Sequence, residues 1–233
     1  DNIDCKEIDN FIVNSLFENV KIFDEIDCKD IDIWFPIIHG ANGEDGSIQG
    51  LLKFTQKPFV GSGLLGSALG MDKIAMKLIF SHLKIPQVNF FIIHDKNLDD
   101  KNNLKIICDQ IVRKLNFPLF IKPANSGSSI GISKVKNQSE ILKALRKAWL
   151  IDQRIIVEEG LEVKELEVGI IGKKELIASK VGEIVYKSDW YDYDSKYKTN
   201  NKITIPANIN PNLTEKIQTL SIQSCMALNI NIF

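Results

Sequence analysis

The chain has 233 residues, 44% of them hydrophobic and 25% charged, and a formal net charge of −1. This is an ordinary soluble globular composition, long enough for roughly one large domain or two to three small ones. A charge so near zero gives no support to nucleic-acid binding, no apolar run reaches the roughly 18–20 residues of a membrane span, and the N-terminus has no signal-peptide pattern. Cys5, Cys28, Cys108 and Cys225 show no C-x-x-C spacing. They read as reduced thiols of a cytoplasmic protein, with neither a metal cluster nor a disulfide framework.

In chain order, DIDIWFPIIHG (residues 30–40) is an apolar, β-branched run that reads as a buried strand ending in a glycine loop. IQGLLKFTQ has helical spacing and leads to a short strand in KPFVGSG. MDKIAMKLIFSHL (71–83) predicts an amphipathic helix with Asp72 near its start, PQVNFFIIHD a strand, and LKIICDQIVRKL (104–115) a helix. A strand bearing Lys122, a Ser/Gly loop and ISKV follow; SEILKALRKAWL (139–150) is helical with Ser139 as its expected N-cap. RIIVEEGL, KELEVGIIG, ELIASKVGEIV and KITIPA alternate into strands, interrupted by the polar, aromatic segment 188–200, and residues 212–228 form a last helix. The order is α/β first and antiparallel α+β afterwards, which suggests more than one domain.

Taken singly, the polar motifs have plain structural explanations. PLFIKPANSGSSIGISKV (118–135) fits a hairpin turning at residues 125–127 with Lys122 toward water. HGANGEDGSIQG (39–50) fits a glycine-rich turn whose acids favour the next helix, and Lys73 fits a solvated helix position. Glu158, Glu159 and Glu165 suit solvent-facing strand positions, and Tyr191, Tyr193 and Tyr197 a loop packing its own rings. Their order points further. Lysines on successive elements, one ahead of a Gly/Ser loop, are the parts that hold phosphate. The Walker spacing G-x-x-x-x-G-K-[ST] is absent, so a nucleotide would bind by another fold than the Walker one.

The blocks HGANGEDGSIQG, GSALGMDKIAMK, FIKPANSGSSIGISKV, IIVEEGLEVKELEVGII and GEIVYKSDWYDYDSKYKT together resemble the D-alanine–D-alanine ligases of the ATP-grasp superfamily, in family order from about Asp30 onward. The resemblance implies a partial Rossmann-like N-terminal substrate-side domain (1–62), a central lid domain (63–157) and a truncated C-terminal antiparallel sheet domain with the tyrosine-rich loop (158–233). It implies ATP and Mg²⁺ as cofactors, D-alanine as substrate, a homodimer when complete, and a cytoplasmic role in peptidoglycan synthesis and cell shape. The chemistry it implies has two steps. One D-alanine carboxylate takes the γ-phosphoryl group of ATP, and the amine of a second displaces phosphate from that acylphosphate.

By position in those blocks, Lys73 and Lys122 would contact phosphates, and the loop holding Ser128 and Ser129 would close over them. Glu158, Glu159 and Leu161 would meet the adenine, and Glu165 the ribose. Ser128 and Tyr197 would shape the first D-alanine pocket, His39 and Glu44 would lie near the substrates, and Lys196 would approach the γ-phosphate. His82 and His94 fall outside every block. The family's opening strand and glycine loop have no counterpart before Asp30, and Asn229 stands where glycine is usual. The acids that hold Mg²⁺ are expected beyond Phe233, so residues 1–233 are expected to be a piece of a ligase and inactive alone. A non-catalytic ATP-grasp remnant and a D-alanine–D-serine or D-alanine–D-lactate ligase are the alternatives.

Overall fold

A computed structural model of the chain describes residues 30–94, 100–186 and 202–230. The central body is a four-stranded sheet of β1 (Phe90–Ile93), β2 (Leu119–Pro123), β3 (Ser133–Val135) and β4 (Ile155–Glu159), in the order β1-β4-β2-β3. Every pairing in it is antiparallel, although strands and helices alternate along the sequence. The β2–loop–β3 segment is therefore a hairpin, with Leu119 opposite Val135.

Alternation along β2 splits the sheet into two faces. Leu119, Ile121 and Pro123 point one way and Phe120 and Lys122 the other, as the strand period of two dictates. On the first face lie α4 (Lys101–Lys114) and α5 (Gln138–Trp149), burying Ile111, Ile141 and Leu145 against Leu119, Ile121, Ile155 and Val157. Each such side chain, taken fully out of water, contributes about 1.5–3 kcal/mol. Asn137, not Ser139, caps α5: its side chain accepts from Ser139 N. An Asn two positions earlier already holds that donor, so Ser139 falls inside the first turn.

The second face carries α3 (Lys73–His82), whose Ile74 packs with Ala124 and Ile156 against Phe90 and Ile92. Two shorter helices, α1 (Ser47–Phe54) and α2 (Leu64–Met71), precede it. Beyond the central sheet, β5 (Glu165–Glu167), β8 (Gly182–Val185) and β9 (Lys202–Thr204) form an antiparallel sheet in the order β5-β8-β9. The pair β6 (Ile170–Ile171) and β7 (Ile177–Ala178) packs against the last helix, α6 (Pro211–Ala227), which also touches α3.

The expected buried strand at residues 30–40 is corrected. Only Trp34 pairs there, in parallel with Phe59, while Phe35 is 67% and Ile37 70% exposed. Its apolar character is that of an open face, because no continuous ladder forms along it among the described residues. Asn229 has a simpler explanation. It follows α6 at φ 56, with its N–H on Met226 O and that of Ile230 on Cys225 O. This is the left-handed helix ending that glycine usually supplies and that asparagine tolerates best among the other residues.

Candidate active site

Lys73 is the first residue of α3, and Asp72 just before it accepts from Ala75 N at 2.9 Å, which sets where the helix begins. The Lys73 N–H donates to Ala124 O at 3.0 Å and its Nζ to Ser126 O, so the lysine is fastened to the loop that leaves β2. Asp72 also receives Arg154, and Asp152 accepts both Arg154 N and Asn125 N. These bonds tie the start of α3, the end of β2 and the turn before β4 together.

Lys122 does not point to water. On the antiparallel ladder it stands opposite Ile156, which puts Glu158 diagonally beside it on the same face, and the two form an ion pair. Glu158 is not a solvent-facing strand residue either. It is 7% exposed, with Lys122 on one carboxylate oxygen and Lys77 on the other at 3.1 Å. Burial alone would raise its pKa, but the charges and hydrogen bonds of Lys122 and Lys77 outweigh burial and hold the carboxyl below the ordinary range. Lys73 shifts down for the matching reasons: burial first, then repulsion from Lys122, bring it to about 8.

The loop after β2 has unusual backbone. Ser128 (φ 51), Ser129 (φ 59) and Gly131 (φ 76) are left-handed, which is strained for the two serines. Loops of this kind form concavities that suit anions. Gly127 of the same loop lies against Gly40 and near Glu44, and it borders an open cleft of about 640 Å³ lined by His39, Glu44, Ser62 and Met71 as well. The His39 ring stands 3.9 Å from Glu44, whose carboxylate accepts Gly40 N at 2.6 Å. Asp45 accepts Asn42 N and Ser47 N, organising the turn before α1; those bonds keep its carboxyl ionised at lower pH than usual, overcoming partial burial.

The structure thus brings Lys73, Lys122, Glu158 and the loop of Ser128 and Ser129 together, and places His39 and Glu44 across the cleft. Glu159 is engaged elsewhere: its oxygens accept Asn116 N, Asn116 Nδ2 and Asn89 Nδ2, joining β4 to its neighbouring loops. Leu161 is 60% exposed and Glu165 opens β5 opposite Ile184. Gly160, between Glu159 and Leu161, is closely approached: a Cβ there would lie 3.0 Å from Pro118 O. Lys196, Tyr191, Tyr193 and Tyr197 lie outside the described residues.

Sequence reading missed Lys77 and Arg154. Lys77 follows Lys73 by four residues, so both share one helix face, and that spacing was the available signal. Its burial depends on the sheet beneath it. ATP suits this arrangement, since the described residues offer converging cations and an anion-receptive loop. No group of three or more His, Cys, Asp or Glu converges among the described residues.

Comparison with known proteins agrees with this geometry. The family model described as D-ala D-ala ligase C-terminus matches residues 79–232, and D-ala D-ala ligase N-terminus matches 9–62. The N-terminal match starts well before Asp30, where the motif resemblance begins. A D-alanine–D-alanine ligase of Prochlorococcus marinus (strain MIT 9312) is 63% identical over 220 residues, covering 92% of this chain and 61% of the relative. That of strain SARG is 50% identical over 225 residues, covering 94% and 64%. The chain therefore spans about three-fifths of the length of such relatives. Among solved structures, the VanG D-Ala:D-Ser ligase of Enterococcus faecalis superposes with a TM-score of 0.74 at 35% identity, covering 86% of this chain and 57% of that one. D-alanyl-alanine synthetase A of Vibrio cholerae gives 0.75 at 27%, covering 87% and 61%. The fold is that of the ATP-grasp ligases, and with its C-terminal family model matching residues 79–232 the chain belongs to the D-ala D-ala ligase family.

Proposed function

We propose that the protein at its natural length joins two D-alanines to D-alanyl-D-alanine at the expense of ATP, for peptidoglycan synthesis. The observation that carries this reading is the meeting of Lys73, Lys122 and the left-handed Ser128–Ser129 loop beside a cleft lined by His39 and Glu44. In it, Lys73 and Lys122 bind the phosphates, and the loop lies over them. Charge stabilisation of this kind is most of what phosphoryl transfer asks of a protein. Glu158, Glu159 and Leu161 border the adenine, Glu165 the ribose, and Ser128 with Tyr197 the first D-alanine. His39 and Glu44 face the substrates and Lys196 approaches the γ-phosphate.

The proposal also divides the chain at 1–62, 63–157 and 158–233, and includes Mg²⁺, a homodimer and a cytoplasmic location. No group of three or more ligating residues converges among the described residues to hold that ion. The likeness to a D-Ala:D-Ser ligase makes D-serine the competing second substrate. The test is phosphate release by the purified protein with D-alanine, L-alanine or no amino acid, with the dipeptide identified by mass. Release should require D-alanine; equal release without any amino acid refutes the ligase reading. A mixed product with equal D-alanine and D-serine shows which second substrate the site prefers.

A further inference from the structure

The Lys122–Glu158–Lys77 cluster is a carboxylate between two cations that differ in freedom. The Lys122 side chain is 21% exposed and stands at the end of β2 that leads into the phosphate loop. Lys77 is 7% exposed, in the middle of α3, with its Nζ 5.1 Å from the centre of the Phe90 ring. They use different oxygens of Glu158, so one can leave without the other. Resting on the nucleotide reading above, we propose that Lys77 is a positioning residue: the fixed counter-ion that keeps Glu158 an aimed carboxylate when Lys122 turns to phosphate.

The need for such a residue follows from burial. Glu158 lies opposite Phe120 and Phe90 on its two neighbouring strands, so once Lys122 turns away, those elements offer it only ring faces. A carboxyl left there alone takes up a proton and becomes a hydrogen-bond donor. As a carboxylate it accepts from an exocyclic amine, and it repels a purine with a carbonyl at that position. The charged groups around it are Lys77 and Lys73 on α3, Lys122 on β2, and Lys134 of β3, which reaches the Phe120 ring at 5.9 Å. Of these, Lys77 is the one both buried and bonded to Glu158 on the oxygen Lys122 does not use.

The experiment measures ATP and inosine triphosphate affinity by calorimetry at several pH values in the protein at its natural length. Wild type should prefer ATP with little pH dependence between about 6 and 8. Lys77→Met should lose roughly tenfold or more in ATP affinity at about pH 6, regain part of it by about pH 8, and discriminate less between the two purines. Lys77→Arg should restore both properties. A Lys77→Met protein with the wild-type pH profile and purine preference overturns the proposal. Should that variant not fold, carbon-13 titration of Glu158 in wild type bound to ADP decides. Ionisation maintained through about pH 6 supports the fixed counter-ion, and proton uptake on nucleotide binding overturns it. If wild type binds neither triphosphate, the nucleotide reading itself fails, which the variants then have no part in.

Discussion

Lys73 can hold a phosphate as a cation only while it is protonated, so pH perturbs the proposed nucleotide site without any substitution. Burial of the ammonium, and then repulsion from Lys122, lower its pKa from 10.5 to about 8 against the attraction of Glu158, Asp72 and Asp152. The fall of 10.5 − 8 = 2.5 corresponds to about 3 kcal/mol. For a base lowered by folding, that cost to stability is fully present below about pH 8. It lifts as pH rises toward about 10.5, where the unfolded chain still holds a proton that the fold has released. An anion beside the ammonium works in the opposite direction and raises its pKa. Nucleotide binding above about pH 8 should therefore take up most of one proton, and ATP affinity should fall by up to about tenfold per pH unit. Calorimetry at about pH 8.5 in two buffers of different ionisation heat measures the proton count, and Lys73→Met should abolish it. Binding heats that do not depend on the buffer, with affinity flat across that range in a protein that does bind ATP, would refute the reasoning.

Removing the Lys122 charge should weaken ATP binding by about one to two decades, the loss of a charge-assisted contact of roughly 1.5–3 kcal/mol, while Lys136→Ala serves as a matched control outside the site. Equal effects at the two positions, measured by calorimetry, would make Lys122 an ordinary lysine. Ile111→Ala, at a fully buried position of α4, should lower stability by about 2–5 kcal/mol in urea unfolding. Gly160→Ala should cost about 1–3 kcal/mol in the same assay, because Pro118 O and the Phe120 ring leave its Cβ only 3.0 Å. Lys84→Gly should instead stabilise by up to about 1 kcal/mol, since Lys84 sits at φ 57 just past the end of α3.

Much of this molecule was legible along the chain. The helices at Lys73–His82, Lys101–Lys114 and Pro211–Ala227 announce themselves by apolar spacing and side-chain caps, β2 by its apolar Leu119–Ile121 run and β4 by a β-branched one. These are local effects, decided by residues within a turn or a strand of one another. The order of the motifs also placed Lys73, Lys122 and the Ser/Gly loop in one family before any coordinates. What the chain could not state was which charges meet. Lys77 and Glu158 lie 81 residues apart and are bonded only because α3 covers the sheet face that Glu158 points toward. Whether Glu158 faced water or Lys122 depended on the register of β2 against β4, which a shift of one residue would reverse. The run at 30–40 was misread for the same reason: apolar residues predict burial, but a strand needs a partner, and only Trp34 has one among the described residues. Periodicity and capping set the elements of this protein, while the pairing of buried charges, which depends on low-dielectric surroundings built by distant segments, was decided by tertiary structure alone.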